Sequence, residues 1–377
     1  MKNPFRIERV GGVSPYVWYG MRVGDWSRLL AGGRFDVTLN CMPRIVAVSA
    51  MTALNSAIYH TSKIAYRRRV ANVDVRAPIF IIGHWRTGTT LLHELLDSDP
   101  RLQAPTTYQC MFPSTFLPTQ GLVGRWTRGM LPATRPFDNM VFGPDKPQED
   151  EFALLNAGLG TPYVTLAFPR RGPAGLRYVD LADLDDVERL RWENGYEEIL
   201  RRFQLDDDRR LVLKSPVHAG RIPTLLKLFP DARFIFTARD PFDIFTSHVR
   251  TLKVLAANQG LHNPIPADDQ WVKDYVLEMF IRLFEAYERD RAQIPPGRLV
   301  EMRYEDFTAA PLERLEALYR ELELGDFAPA RAAVVANLAD RKGYRRNANR
   351  IDAQDRAIVA ARWAKYRDRF GYAEQSA

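Results

Sequence analysis

The sequence is poor in cysteine: 377 residues hold only Cys41 and Cys110. That scarcity excludes a disulfide-stapled scaffold and a multi-cysteine zinc site, and it fits a reducing, cytoplasmic compartment. Histidine is also sparse, with six residues and no metal-binding grouping among them, so no obligatory metal is expected. Low-complexity tracts and internal repeats are absent, which excludes fibrous and solenoid architectures. The opening MKNPFRIERVGG has charges but no apolar core leading to a small-residue cleavage site, so no secretory leader is expected. Neither sign of charge dominates. Lys+Arg 53 against Asp+Glu 46 leaves +7, a modest excess compatible with an anionic ligand, nucleic acid or an acidic membrane surface. With 46% hydrophobic and 26% charged residues, the chain is neither disordered nor a multi-span membrane protein.

What is present divides near residue 75. The first part, 1–75, reads as a helical extension rich in aromatics (Tyr16, Trp18, Tyr19, Trp26). Within it the uncharged run IVAVSAMTALNSAIYHTS, between Arg44 and Lys63, approaches the length of a bilayer span. Its Ser, Thr and Asn content and its lack of a Leu/Ile-rich centre favour a helix buried against the protein. A membrane-surface helix over 45–69, aided by Arg67-Arg68-Arg69, is the second reading, and a true span the third.

From residue 76 to 377 the pattern becomes strand, turn, helix. PIFIIG, LVLKSP, RFIFTARDP and the segment Arg298–Phe307 (RLVEMRYEDF) read as buried strands, with helical periodicity between them. Such alternation predicts an α/β domain with a mainly parallel sheet. The Pro/Gly-interrupted stretch 112–147 reads as a long loop excursion of the kind that contacts substrates.

Gly83-His84-Trp85-Arg86-Thr87-Gly88-Thr89-Thr90 follows the first strand and opens a helix. Backbone N–H groups at such a helix start, with glycines permitting close approach, form an anion cradle. The spacing G-x-x-x-x-G matches a nucleotide phosphate loop, whose next residues are Lys and Ser/Thr. Here they are Thr89 and Thr90, and the cation sits earlier, at Arg86. An ordinary ATP or GTP hydrolase is disfavoured.

That loop resembles the first donor-binding motif of the sulfotransferases that use 3'-phosphoadenosine 5'-phosphosulfate, with Trp85 where proline is usual. The resemblance strengthens at RFIFTARDPFDIFTSHVR, where Arg239 and Ser247 stand as the family's pair for the donor 3'-phosphate. Lys214, ending LVLK, is similar to the lysine that faces the transferred group in the bacterial and tyrosylprotein branch. Arg303-Tyr304-Glu305-Asp306 is similar to a late family segment whose tyrosine lies near the adenosine. Arg341-Lys342-Gly343 matches a tripeptide that grips the 3'-phosphate, or equally a solvated basic surface. The resemblance covers roughly 78–310 and implies a P-loop-NTPase-like fold, a central parallel sheet flanked by helices.

What it implies chemically is sulfuryl transfer to a hydroxyl or amine acceptor of carbohydrate, lipid or small-molecule type. Arg86 and Lys214 then supply charge at the breaking bond, while Thr87, Gly88, Thr89 and Thr90 hold the 5'-phosphate. For the general base this chain departs from the family, with Ala104-Pro105-Thr106-Thr107 where the tyrosylprotein branch has its glutamate. The acids in the neighbourhood of the cytosolic branch's histidine make Glu149 the candidate, with Glu151 second and His218 a further one. The acids at 149–151 equally suit a helix start. His84 is placed to touch donor or acceptor, His93 reads as packed, and His248 is expected on a different helix face from Ser247. Several family members are dimers. Two other classes stay open: a kinase or NTPase with a degenerate loop, and a non-enzymatic basic surface-binding protein. No nucleic-acid motif is present.

Overall fold

Ile79, Phe80, Ile81 and Ile82 are all fully buried, as a strand covered on both faces requires. The structure, a computed structural model, describes residues 16–127, 143–262, 270–341 and 351–372. In chain order come α1 (Val23–Gly32), α2 (Met42–Ala71), β1 (Ile79–Gly83), α3 (Thr89–Leu96) and β2 (Leu102–Gln103). Helices α4 (Thr107–Met111), α5 (Phe116–Thr127), α6 (Glu151–Asn156) and α7 (Asp186–Phe203) follow. Then come β3 (Arg210–Lys214), α8 (Ile222–Leu228), β4 (Arg233–Ala238), α9 (Pro241–Gln259), α10 (Gln270–Asp290) and β5 (Leu299–Arg303). The last elements are α11 (Tyr304–Ala309), α12 (Pro311–Glu321), α13 (Ala328–Asp340), α14 (Ala353–Arg362) and α15 (Ala364–Phe370).

By compactness the chain divides into two units, one of 1–74, 105–208 and 251–272, the other of 75–104, 209–250 and 273–377. The second holds the sheet. Its five strands are all parallel, in the order β2-β3-β1-β4-β5. The chain leaves central β1 for the β2 edge, returns through β3, and only then crosses to β4 and β5. The order therefore reverses between β1 and β4, which pair from Ile79↔Arg233 to Gly83↔Thr237. A parallel sheet opens a crevice at the carboxyl ends of its strands where the order reverses. The Arg86 loop and the Arg239/Ser247 segment follow these two strands. The expected α/β fold with a P-loop-like parallel sheet is present.

Alternation along β1 supplies both faces of the sheet. Ile79 and Ile81, with Val212, Ile235, Val300 and Met302, form a core under Leu92, Leu95 and Leu96 of α3 and Leu315 and Leu318 of α12. The opposite face is aromatic: Phe80 stacks on Phe234 at 5.5 Å, and Phe236 on Tyr287 at 3.9 Å. The two-residue strand β2 escapes sequence reading because it is too short to show periodicity. The strand expected over Arg298–Phe307 is shorter. It stops at Arg303, and Glu305 and Asp306 enter the first turn of α11, where acids suit the positive end of the helix dipole.

The first unit is built of helices. The Trp18 indole N–H donates to the Gln259 carbonyl at 2.8 Å, and Trp26 of α1 donates to Ser49 of α2 at 2.9 Å. The stretch expected as a loop excursion instead contains α5. Pro118 stands at its third position, where no intrahelical N–H is needed, so proline does not break it; residues 128–142 lie outside the described chain.

Candidate active site

The turn after β1 is the starting point. Gly83 has φ +145°, and a side-chain carbon there would lie 2.7 Å from the Thr237 carbonyl on β4. Only glycine lets the two strand ends come this close. Thr87 locks the turn from inside: its hydroxyl donates to the His84 carbonyl at 2.8 Å and meets the Thr237 hydroxyl at 2.8 Å. Gly88 then starts α3 at φ +87°, where an added carbon would strike the Tyr304 ring at 2.1 Å. Between them Arg86 adopts φ +74°, a left-handed conformation costly for a side chain of its size. Thr89 is buried and Thr90 half-buried in the first turn of α3.

The second motif closes on the first. Arg86 donates through Nε to the Ser247 hydroxyl of α9 at 2.8 Å. Arg239, just past β4, donates through Nη1 to the Arg86 carbonyl at 3.0 Å and through Nη2 to Asp243 at 2.7 Å. Its guanidinium carbon lies 4.7 Å from the centre of the Tyr304 ring, within cation–π range. Its Nε–H is buried and meets no acceptor. The structure thus brings Arg86, Thr87, Gly88, Arg239, Ser247 and Tyr304 together, from three separate stretches of sequence. Two guanidinium groups, one hydroxyl and a helix start converge on a place suited to a polyanion.

The remaining sequence candidates lie on other elements. Lys214 closes β3, in register with Ile81 and 1% exposed. His218 is fully buried, edge-on to Phe80 at 5.5 Å. Glu149 and Glu151 belong to the helical unit. Glu149 accepts the Tyr163 hydroxyl, and fully buried Glu151 accepts that of Thr161 at 2.5 Å. Arg341 pairs with Glu94 of α3 and donates to Asn337 at 2.7 Å, while Lys342 and Gly343 lie outside the described residues. Glu305 is a structural acid: it accepts the Asp240 N–H at 3.0 Å and the Tyr372 hydroxyl at 2.8 Å.

His248 meets different partners from Ser247. Although it neighbours Ser247, it stacks on Trp85 of the loop at 5.0 Å and meets His84 edge-on at 5.0 Å, so consecutive α9 residues grip consecutive loop residues. His93 is packed, with Nε2 3.0 Å from the Val212 carbonyl. His84 places Nδ1 3.0 Å from the Trp85 carbonyl, which can only accept, so Nδ1 carries the proton of the neutral ring. Burial holds its imidazole down at about 3. Burial also lowers His248, helped by its neighbours His84 and Arg86, which disfavour a further positive charge.

Unfolding frees His84 to the ordinary value of 6.5, so the unfolded chain binds the extra proton. Its contribution to stability is complete above pH 6.5 and is lost as pH falls toward 3, reaching about 2 kcal/mol by about pH 5. Denaturant unfolding at both pH values should show a smaller acid loss in His84→Asn than in the parent; an equal loss removes His84 as its source.

Sequence reading overlooked the aromatic buttress behind Arg239. The Tyr366 hydroxyl accepts the Arg239 N–H at 2.9 Å and donates to its carbonyl at 3.0 Å. Trp363 stacks on Phe280 at 3.7 Å, and Phe280 lies 4.8 Å from His84. The signal was present in the spacing of Trp363, Tyr366 and Phe370, one face of a helix.

Comparison with known proteins gives the family. Residues 78–329 match the model of the sulfotransferase family. The chain is 35% identical over 373 residues to the omega-hydroxy-beta-dihydromenaquinone-9 sulfotransferase Stf3 of Mycobacterium bovis, covering 99% of this chain and 95% of that protein. The Mycobacterium tuberculosis Stf3 matches equally. Among solved structures, sulfotransferase STF9 from Mycobacterium avium gives a TM-score of 0.71 at 21% identity, covering 88% of this chain and 86% of that one. Sulfotransferase STF1 from Mycobacterium tuberculosis gives 0.64 at 21%, covering 92% and 94%. At that identity both speak for the fold alone. The degenerate kinase and the non-enzymatic scaffold are set aside by the family match and by the relative that shares nearly the whole length. With the family model matched from 78 to 329 and a sulfotransferase relative alike along 99% of this sequence, the chain belongs to the sulfotransferase family.

Proposed function

We propose that the protein moves a sulfuryl group from 3'-phosphoadenosine 5'-phosphosulfate to the hydroxyl of a lipid-like acceptor. The observation that carries the donor assignment is Arg239: its buried Nε–H meets no acceptor, while its other nitrogens tie it to the Arg86 carbonyl and Asp243. Leaving such a donor unmatched costs about 1–3 kcal/mol, and a phosphate oxygen supplies the missing partner. On this reading Arg239 and Ser247 take the 3'-phosphate, Tyr304 borders the adenosine, and residues 87–90 hold the 5'-phosphate.

In the reaction the acceptor oxygen bonds to sulfur as the bond from sulfur to the bridging phosphate oxygen breaks. The electron pair stays on the phosphate, where Arg86 and Lys214 offset the growing charge. A general base takes the acceptor proton, a role for which Glu149 is the first candidate and Glu151 and His218 the others. Protein cations take the place that magnesium occupies in transfer from triphosphates. The acceptor class follows the relative whose name specifies an omega-hydroxylated menaquinone derivative, similar along 99% of this chain.

The test is a metal-free titration with 3'-phosphoadenosine 5'-phosphate beside ATP with Mg²⁺, followed by heat or thermal stability. Preferential stabilisation by the bisphosphate is expected. Radiolabelled donor should then sulfate a hydroxylated polyprenyl quinone in preference to a small soluble phenol. Preference for ATP·Mg²⁺ overturns the donor assignment; preference for the phenol overturns the acceptor class.

A further inference from the structure

Helix α2 is turned inside out. Its buried side carries Thr52, Asn55 and Ser62 beside Ile45, Val48 and Val70. Thr52 and Asn55, with half-buried Ser49 and Ser56, use their polar groups inside the protein. Asn55 donates to the Tyr19 and Met21 carbonyls at 2.6 and 3.1 Å, and Ser56 accepts the Val23 N–H at 3.0 Å. The outer side is apolar. Val46 is 62% exposed, Leu54 54% and Ile64 84%, and the exposed residues between them include Ala47, Ala50, Ala53 and Ala57. Just ahead of the helix Phe35 and Leu39 are 63% and 89% exposed. A soluble surface helix has the opposite arrangement, and an exposed apolar stripe of this kind, interrupted by the exposed His60 and Thr61, marks an interaction surface.

Charge selects the occupant. From Met42 to Ala71 the helix has no Asp or Glu, while Lys63, Arg67 and Arg68 are exposed at its C-terminal end. We infer that this face lies in the interface of an anionic lipid bilayer, the apolar stripe at the acyl boundary and the three cations among the head groups. A second copy of the chain fits less well, because the same face brings only more cations and no acid to meet them. A span also fits less well. By length and composition the segment from Leu39 to Ala71 would serve, an 18-residue window within it reaching a mean hydropathy of 1.3, but crossing the bilayer would strip Asn55 and Ser56 of the bonds they make to Tyr19, Met21 and Val23. The inference is independent of the donor chemistry and is tested without turnover.

The experiment is co-sedimentation of the full chain with vesicles of phosphatidylcholine, with and without phosphatidylglycerol. Binding should favour the anionic vesicles and weaken with salt. Arg67→Ala/Arg68→Ala should reduce anionic-vesicle partitioning about thirty-fold, about 1 kcal/mol for each cation. Leu54→Glu/Ile64→Glu should abolish it while leaving the unfolding temperature and bisphosphate binding unchanged, since both side chains are exposed. Failure of the parent protein to bind either vesicle overturns the inference, as does undiminished binding by the double glutamate variant. A dimer that Leu54→Glu dissociates, without vesicle binding, assigns the face to a second copy and overturns it equally.

Discussion

Arg86→Ala is expected to lower the single-turnover rate at saturating donor by about 10²–10³-fold, the usual cost of removing one preorganised donor from developing negative charge. The backbone argues for this as much as the charge does. Arg86 sits at φ +74°, and that conformation is held by Arg239 on its carbonyl and Ser247 on its Nε. Strain kept in place by two partners is worthwhile where a side chain must be aimed. Arg86→Lys keeps the charge but loses the fork that reaches Ser247, and should recover part of the rate. Lys214 is 1% exposed, so Lys214→Met is the gentler truncation, and it should lower the rate comparably. Near-normal turnover in Arg86→Ala and Lys214→Met removes both cations from the mechanism.

Arg239→Ala acts on binding instead. Losing a hydrogen bond to a charged group costs about 1.5–3 kcal/mol, so donor affinity should fall roughly 10- to 150-fold, read as Kd for 3'-phosphoadenosine 5'-phosphate. Adenosine 5'-phosphosulfate, which lacks the 3'-phosphate, provides the control and should bind parent and variant about equally. Equal loss with both ligands means that Arg239 acts only by supporting the Arg86 carbonyl, and the phosphate assignment fails. Asp243→Asn, which weakens the pair at Nη2, should have a much smaller effect, because that carboxylate is half exposed and its pairing is screened by water.

How much of this was legible before the structure depended on the range of the interaction. PIFIIG and RFIFTA announce buried strands because full burial leaves an uninterrupted apolar run, and the turn glycines and the Arg86 loop are short-range signals of the same kind. Local patterns can also be read too far: the run ending YEDF continues as a strand on apolar content alone, yet the acids at 305 and 306 begin a helix. Pro118 and Gly121 resemble a loop until their place within α5 is known. The meeting of Arg86 with Ser247, 161 residues apart, follows from strand order, which no single segment encodes. The Tyr366 clamp on Arg239 was unread for the same reason. The reversed polarity of α2 escaped because Thr52, Asn55 and Ser62 count as polar wherever they point, and only their burial reveals which side is inside.

The neighbourhood of β1 and β4 also sets a timetable for synthesis. Ile79 and its partner Arg233 are 154 positions apart, which at about 5–20 residues per second is about 8–30 s on the ribosome. Throughout that interval the Ile-Phe-Ile-Ile segment has an open edge on the side that β4 will occupy, an apolar template for wrong pairing. Tyr304 and Tyr366 emerge later still. A nascent chain therefore completes its apolar sheet core well after that core becomes sticky, and its phosphate loop gains its last supports near the end of translation. Growth conditions that slow elongation should burden chaperones with this enzyme before they affect its finished form.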